Sequence, residues 1–362
     1  FLNHKPLPDL KTISTPCSVD LDGPRKAFSE FIERGLTCLK VVPTEVQWDT
    51  PHLSTKAGPT GMALDSAARE VHYLSDQMIE DIRNMGGEPL YEWLSEVKRF
   101  PLELNDTNPP RDQILRKLSF VHDPEGKTRV IAIFDYWTQS ALLPLHRLTN
   151  RILKGIEMDC TFNQDSFRSR IPTGCQHWSL DMTACTDRLP AVMQRDVLSK
   201  LLKSETKADS WLRLMVDHEF ITSWDSKLRT KYAVGQPMGA YSSWTTMALT
   251  HHLVVQFSAE RVGKPIPFKD YFLLGDDVVI HDEQVAKEYK KFLESCGVEF
   301  SVPKSMISND TFEFAKRLFH KTTEVSHFPL LALHEGLSTP YLMSAALLPL
   351  LQREYIVLPE IG

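Results

Sequence analysis

Ten residues, Tyr271-Phe-Leu-Leu-Gly-Asp-Asp-Val-Val-Ile280, constrain this chain more than any other stretch. Residues 272–274 and 278–280 are apolar strand formers, and Gly275 with Asp276 is turn chemistry. The run therefore predicts a buried β-hairpin with two adjacent carboxylates at its tip. A polar turn is the bland explanation of any isolated Gly-Asp-Asp, so the meaning of this one depends on partners elsewhere in the chain.

A third acid stands upstream in His177-Trp178-Ser179-Leu180-Asp181-Met182, where apolar and polar residues alternate. That period predicts a half-buried strand, with Asp181 at its end facing away from the core. Beside Asp276 and Asp277, three like charges would repel by ~4 kcal/mol per close pair at an effective dielectric near 20, which demands a polycation among them. Hard oxygen ligands with room for water and phosphate suit Mg2+. Two such ions about 4 Å apart activate a 3′-hydroxyl and stabilise leaving pyrophosphate, the chemistry of nucleotide polymerases.

The 362 residues, 42% apolar and 24% charged, provide for a sizeable core and two or three subdomains. A net charge of −6 gives no whole-molecule attraction for nucleic acid, so any such surface must be local. Six cysteines without a Cys-x-x-Cys or His-Glu-x-x-His motif suggest neither a zinc site nor a disulfide framework. The longest apolar candidate for a membrane span, residues 341–351, is about half a span and contains Pro349. No signal peptide or Arg-rich transit helix opens the chain, and its start at Phe1-Leu2-Asn3 without Met reads as a fragment or open-ended frame.

Along the chain, residues 65–96 are helical until Gly86-Gly87, 105–110 form a loop, 130–134 a strand, and 142–156 an amphipathic helix after Pro144. The Asp181 strand leads into a helix over 188–204, with Thr186 or Asp187 as N-cap and Pro190 in its first turn. Gly235-Gln-Pro-Met-Gly239 breaks the chain before a long helix running through Phe257. The hairpin, a helix over 284–296 and a strand over 298–302 follow. This order predicts an antiparallel sheet backed by helices, an α+β arrangement. His251 and His252 point in different directions on their helix and read as packing or surface residues rather than a metal pair.

In motif content and order, from Thr55-Lys-Ala-Gly-Pro59 to Lys316-Arg317, the chain resembles the RNA-dependent RNA polymerases of mitoviruses, relatives of narnaviruses and leviviruses. In Asp181-Met-Thr-Ala-Cys-Thr-Asp187 the resemblance makes Asp181 a metal ligand and Asp187 the residue that senses a ribose 2′-hydroxyl. Gly235 to Trp244 resembles the glycine-bearing loop that handles template and nucleotide, with Gly239 and Ser243 as nucleotide contacts. Many RNA polymerases carry an Asn in the next helix turn, where this chain has Met247, and Ser243 is the substitute. Asp276 and Asp277 become metal ligands, and Lys304 a general acid for leaving pyrophosphate. Glu125-Gly-Lys127-Thr-Arg129 resembles the fingers motif, whose alternation sends Lys127 and Arg129 to one strand face where two cations suit a triphosphate. Phe312-Glu-Phe-Ala-Lys-Arg317 resembles the motif closing the palm near the primer, and residues 55–59 are placed near template.

The resemblance implies a right-hand polymerase with an antiparallel palm sheet backed by helices: fingers and an N-terminal region in 1–175, palm in 176–325 and the start of a truncated thumb in 326–362. Its implied activity is RNA-directed RNA synthesis that replicates a positive-strand RNA genome in mitochondria. Mg2+ is the implied cofactor, with Mn2+ as the alternative, and RNA template, RNA product and nucleoside triphosphates are the implied partners. Two other readings stay open: a fragment or integrated remnant that folds without polymerising, and a reverse transcriptase, which shares the metal acids but has no equal use for Asp187.

Overall fold

The structure is a computed structural model that describes residues 7–100, 115–122, 128–326, 330–337 and 340–352. Lys127 and the expected 105–110 loop lie outside the described residues. The N-terminal part contains α1 (Lys11–Ser14), α2 (Asp22–Cys38), α3 (Ala63–Glu70), α4 (Asp76–Gly86), α5 (Glu88–Arg99), β1 (Arg116–His122), β2 (Thr128–Phe134) and α6 (Tyr136–Gly155). Next come β3 (His177–Leu180), α7 (Cys185–Arg188), α8 (Ala191–Leu202), α9 (Glu205–Val216), β4 (Phe220–Thr222), β5 (Arg229–Thr230) and α10 (Ser243–Arg261). The remainder holds β6 (Tyr271–Leu274), β7 (Asp277–Ile280), α11 (Glu283–Ser295), β8 (Met306–Ser308), β9 (Thr311–Phe314), β10 (Arg317–His320), β11 (Thr323–Glu324), α12 (Leu330–Gly336) and α13 (Pro340–Gln352). No described helix is long and apolar enough to cross a membrane.

The expected α+β arrangement is present. A sheet in the order β6-β7-β3-β8 is antiparallel throughout. Its register sets Trp178 against Ile280, Ser179 against Val279 and Leu180 against Val278. On one face Trp178, Leu180, Leu273, Val278 and Ile280 join the main core with α10 and α11. Burial of α11 follows its apolar stripe, Val285, Tyr289, Phe292 and Leu293. In contrast α10 is buried on every side, which explains why its sequence lacks a polar face.

The opposite face was expected to meet solvent, and it does not. Phe272 and Val279 pack there with Phe167 and with Phe312, Phe314 and Phe319 of the β9–β10 hairpin. Ser179 is buried with them, and its hydroxyl accepts the Glu313 N–H at 3.1 Å. All four residues of β3 are thus buried, because a hairpin about 130 positions downstream covers the face that its alternation left polar.

Three further boundaries differ from expectation. The 188–204 helix is divided: α7 ends at Arg188, Leu189 is extended at φ −69° and ψ 116°, and α8 begins after Pro190. Pro190 disfavours a helical conformation in the residue before it, so it separates two helices instead of sitting inside one. The strand expected over 298–302 is reduced to a bridge between Met182 and Phe300, and β8 occupies the sheet edge beside β3. The 142–156 helix begins earlier, at Tyr136, because Asp135 caps it by accepting the Thr138 N–H at 2.8 Å, and Pro144 lies within its length. Asp135 also pairs with buried Arg116, whose guanidinium donates to the Thr138 hydroxyl at 3.0 Å, so strand β1 is joined to the start of α6.

The packing reading of the histidine pair holds, whereas the surface reading does not: both are buried in α10. The Gly275 carbonyl can only accept, so His251 Nδ1–H donates to it at 2.8 Å, and the Tyr289 hydroxyl donates to Nε2 at 2.7 Å. His252 bonds the Tyr271 hydroxyl at 2.8 Å and Asp159 at 3.1 Å. These two residues therefore fasten the β6–β7 hairpin to the helix behind it.

Burial pushes the His251 imidazole down to about 4, far below its ordinary 6.5. Between those values the unfolded chain binds a proton that the folded chain refuses, so this stabilisation is present above pH ~6.5 and is lost as pH falls toward 4. Relative to a His251→Gln variant, the unmutated chain should lose ~2 kcal/mol of its advantage between pH 7 and pH 5. Urea unfolding of both proteins at the two pH values measures this; a constant difference contradicts the assignment. Close packing offers a second check. A Cβ on Gly235 would lie 2.2 Å from the Thr186 carbonyl oxygen, whereas one on Gly23 would meet nothing within 4 Å. Gly235→Ala should cost about 2 kcal/mol or more, and Gly23→Ala should be neutral or stabilise by ~0.5 kcal/mol, both read from denaturation midpoints.

Candidate functional site

Pairing between β3 and β7 ends at Leu180 and Val278. One step further along the same register stand Asp181 and Asp277, which brings their side chains to one face at cross-strand distance. Leu274 pairs with Asp277, leaving Gly275-Asp276 as a two-residue loop. Gly275 takes φ +64° at the first loop position, as a type II′ turn requires. A Cβ there would also stand 2.6 Å from the Trp244 indole nitrogen, so turn shape and close approach both call for glycine. Asp276 projects from this turn into solvent.

Asp277 is part-buried and accepts the Ala315 N–H at 2.6 Å. Burial pushes its carboxyl up to about 7, the Ala315 hydrogen bond opposes this, and the charges of Asp276, Glu313 and Asp181 add to it. The donor comes from the β9–β10 turn, where Ala315 and Lys316 adopt φ +54° and +59° without a glycine. That left-handed pair costs ~1 kcal/mol or more per residue. The strain aims a backbone N–H at a carboxylate.

Asp181 is held by its backbone. Its N–H donates to the Ser305 hydroxyl at 3.2 Å and its carbonyl accepts the Ser301 N–H at 2.8 Å. Between those two anchors the chain turns, and Lys304 Nζ comes within 3.5 Å of Asp181 Oδ2. Both side chains are more than a third exposed, so the pair adds little stability and its interest is positional.

Asp187 does not cap α8. It lies in α7, where burial raises its carboxyl and the Thr12 hydroxyl donates to Oδ2 at 2.6 Å. Arg188 bonds the Thr15 carbonyl at 2.6 Å and Ala233 N–H the Ile13 carbonyl at 2.9 Å, so the α1 segment is seated against this acid. Gly235 N–H donates to the Asp187 carbonyl and Gln236 N–H to the Thr186 carbonyl, each at 2.9 Å. Gln236 then ties the loop to Gln194 at 2.6 Å and to the Ser243 carbonyl at 2.7 Å. Ser243 is buried at the head of α10, and the Met247 sulfur contacts Cys185 and Thr186 at 3.7 and 3.8 Å. The buried Cys185 thiol is pushed well up by burial and by Asp276, Asp187 and Asp181, which places those acids in one neighbourhood.

Gly239 has φ +121°, and a Cβ there would stand 2.3 Å from the Ala132 carbonyl oxygen of β2. With Ala132 N–H donating to the Met238 carbonyl at 2.7 Å, the loop docks on the strand that carries exposed Arg129. The fold thus gathers Asp181, Asp276, Asp277 and Lys304, with Asp187 near them around Cys185 and the Gly235 loop bonded to the Asp187 backbone. It sets Gly239 and Arg129 at the adjoining β2. Thr55, Ala57, Gly58 and Pro59 line a groove with Lys117.

Thr12, Trp244, His251 and Ala315 support the site without having been singled out for it. A His-His pair inside an otherwise apolar helix is the signal for His251. Ala315 acts through its backbone and has no side-chain signal. The donor set is made of hard carboxylate oxygens, Asp276 exposed and Asp181 and Asp277 partly so, which fits an oxygen-seeking divalent ion that keeps water or phosphate among its ligands.

A family model for mitovirus RNA-dependent RNA polymerase matches residues 45–360. The RNA-directed RNA polymerase of Cryphonectria parasitica mitovirus 1 is 42% identical over 220 residues, covering 57% of this chain and 25% of that protein. The chain therefore spans about a quarter of that relative's length. An uncharacterized mitochondrial protein of Arabidopsis thaliana is 35% identical over 178 residues, covering 47% of this chain and 70% of that protein. Among solved structures, the BmCPV RNA-dependent RNA polymerase at elongation state aligns with a TM-score of 0.56 at 10% identity, over 87% of this chain and 31% of that one, a likeness of fold. With nearly the whole chain matched and the acids gathered at one strand end, the chain belongs to the mitovirus RNA-dependent RNA polymerase family.

Proposed function

We propose that the chain carries the catalytic palm of an enzyme that copies an RNA template into RNA from nucleoside triphosphates. The palm is assigned to residues 176–325, fingers and an N-terminal region to 1–175, and the start of a thumb to 326–362. The observation that carries the reading is the β3–β7 register, which sets Asp181 opposite Asp277 with Asp276 at the adjoining turn. Asp181, Asp276 and Asp277 would hold Mg2+, with Mn2+ as the alternative. When bound, a pair of such ions supplies the charge that lowers the pKa of a primer 3′-hydroxyl and offsets the negative charge of leaving pyrophosphate.

The chain's own residues do the rest. Asp187, supported from behind by the Thr12 hydroxyl, accepts a hydrogen bond from the ribose 2′-hydroxyl and so selects ribonucleotides. Gly239 and Ser243 shape the loop that receives the nucleotide, with Gln236 bracing it. Lys304 donates its proton to the departing pyrophosphate oxygen as a general acid; its ammonium already lies beside Asp181. Arg129 and Lys127 bind the triphosphate, Arg129 through a planar fork and Lys127 as a point charge. Mitovirus and plant mitochondrial relatives support a mitochondrial setting and replication of a positive-strand RNA genome as the biological role. The second reading is a non-catalytic fragment or integrated remnant that folds without polymerising, supported by the match to an uncharacterized mitochondrial protein of a plant and by the quarter of the viral relative that the match spans.

RNA-templated incorporation of labelled ribonucleotides with Mg2+ separates these readings. The unmutated chain should incorporate label, and the Asp276→Asn, Asp277→Asn double variant should fall to background while remaining folded. Equal activity in both would remove the metal assignment, and a folded but inactive unmutated chain would favour the fragment or integrated remnant. In the same assay Asp187→Ala should lower discrimination against deoxyribonucleotides tenfold or more, the value of one hydrogen bond to a charged group. Unchanged discrimination would reduce Asp187 to its contacts with Thr12 and Gly235, and a preference for deoxyribonucleotides by the unmutated chain would favour a reverse transcriptase.

A further inference from the structure

We propose that Cys175, His177 and His281 form a binding site for one Zn2+ ion, at the end of the β3–β7 pair remote from Asp181 and Asp277. His177 begins β3 and His281 follows β7. The register that sets Trp178 against Ile280 continues to these two histidines, so they are cross-strand partners on the same face as Ser179 and Val279. Their Nδ1 atoms are 2.8 Å apart. One ring nitrogen of each and the Cys175 sulfur all lie within 4.8 Å of one another.

Neither histidine has water to rely on, at 2% and 6% exposure. The Nδ1···Nδ1 contact holds one proton, so one ring presents a lone pair to the other's N–H. Zn2+ held by the two Nδ1 atoms would take the place of that shared proton, which moves to the other nitrogen of its own ring.

Donor chemistry selects the ion. A thiolate with two imidazoles is a nitrogen and sulfur set that Mg2+ avoids and Zn2+ favours. Tetrahedral Zn2+ with bonds of ~2.0 Å to nitrogen and ~2.3 Å to sulfur needs donor separations of roughly 3.3–3.6 Å, so the two rings part by about half an ångström and the sulfur stays within its present range. Coordination releases the Cys175 thiol proton to solvent, and both imidazoles stay neutral. Cys175 is part-exposed and feels the negative charge of Asp270, which leaves an open side for water as fourth ligand. Arg170 is the nearby opposing cation, stacked over Phe272 at 5.3 Å, and the thiolate charge offsets it.

The test uses the full chain, reduced and stripped with a chelator, titrated with Zn2+ against a chromophoric competitor in excess Mg2+ so that the carboxylates are already occupied. One Zn2+ should bind per chain and raise the thermal midpoint, and Cys175→Ala should bind at least tenfold more weakly with no such rise. Co2+ in place of Zn2+ should give a thiolate charge-transfer band that is absent from Cys175→Ala. Cys175 is part-exposed, so this variant is expected to keep its fold, checked by far-ultraviolet circular dichroism. Absence of stoichiometric binding, or equal binding by the folded variant, overturns the site.

Discussion

The register between β3 and β7 is the constraint on which the rest depends. Side chains alternate along a strand, so a slip of β3 by one residue against β7 would turn Asp181 toward the main core and send Trp178 toward the aromatic cluster, parting Asp181 from Asp277. In a sheet with one wet face, apolar alternation by itself opposes such a slip. Here both faces are buried, and alternation discriminates less. Specific bonds supply what alternation cannot: Glu313 N–H to Ser179, Ala315 N–H to Asp277 and His251 to the Gly275 carbonyl each fix one position of the pair.

These supports also explain where the molecule accepts local cost. Ala315 and Lys316 sit in a left-handed turn that glycine would fill without strain, and Asp277 is held among like charges. The α1 segment meets Asp187 through Thr12. Such features persist only where surrounding packing over-determines them, as the ring of Phe167, Phe272, Phe312, Phe314 and Phe319 does beneath the turn. Other non-glycine residues with positive φ, Lys40, Lys203 and Lys321, stand at helix or strand ends outside the site. Like charge gathered at one strand end is what a site prepared for a cationic ligand requires.

Legibility in the sequence follows the range of the interaction. The hairpin was readable because Gly275-Asp276 between apolar runs is a local code, and the Asp181 strand because Trp178, Leu180 and Met182 alternate with polar residues. Burial of Ser179 was not readable, since its cover is a hairpin that meets it only in the fold. The helix around Asp187 carries a local ambiguity: Pro190 suits a first helical turn, but it also restricts Leu189, and the second effect prevails. Val298 and Phe300 look like strand residues, yet Pro303 and a turn follow, and the edge position went to β8. For the site, the three acids stood out as side chains at a strand end and a hairpin turn, and Lys304 through the family resemblance alone. Its backbone donors, Ala315 N–H and Gly235 N–H, are common to every residue type and leave no mark in the sequence.

The same register places acids at one end of the β3–β7 face and a Cys-His-His cluster at the other, four residues away along β3, or ~13 Å at ordinary strand rise. Their chemistries differ in the way that keeps ions apart, oxygen donors favouring hard cations and nitrogen with sulfur favouring Zn2+. A strand pair tied at its far end has less freedom to twist or slide at its near end. Mutual distances among Asp181, Asp276 and Asp277 would then be set from both sides: by the turn and Ala315 at the tip, and by a cross-strand tether at the base. The acids repel one another, so this second restraint acts on the one motion their repulsion favours, a parting of β3 from β7.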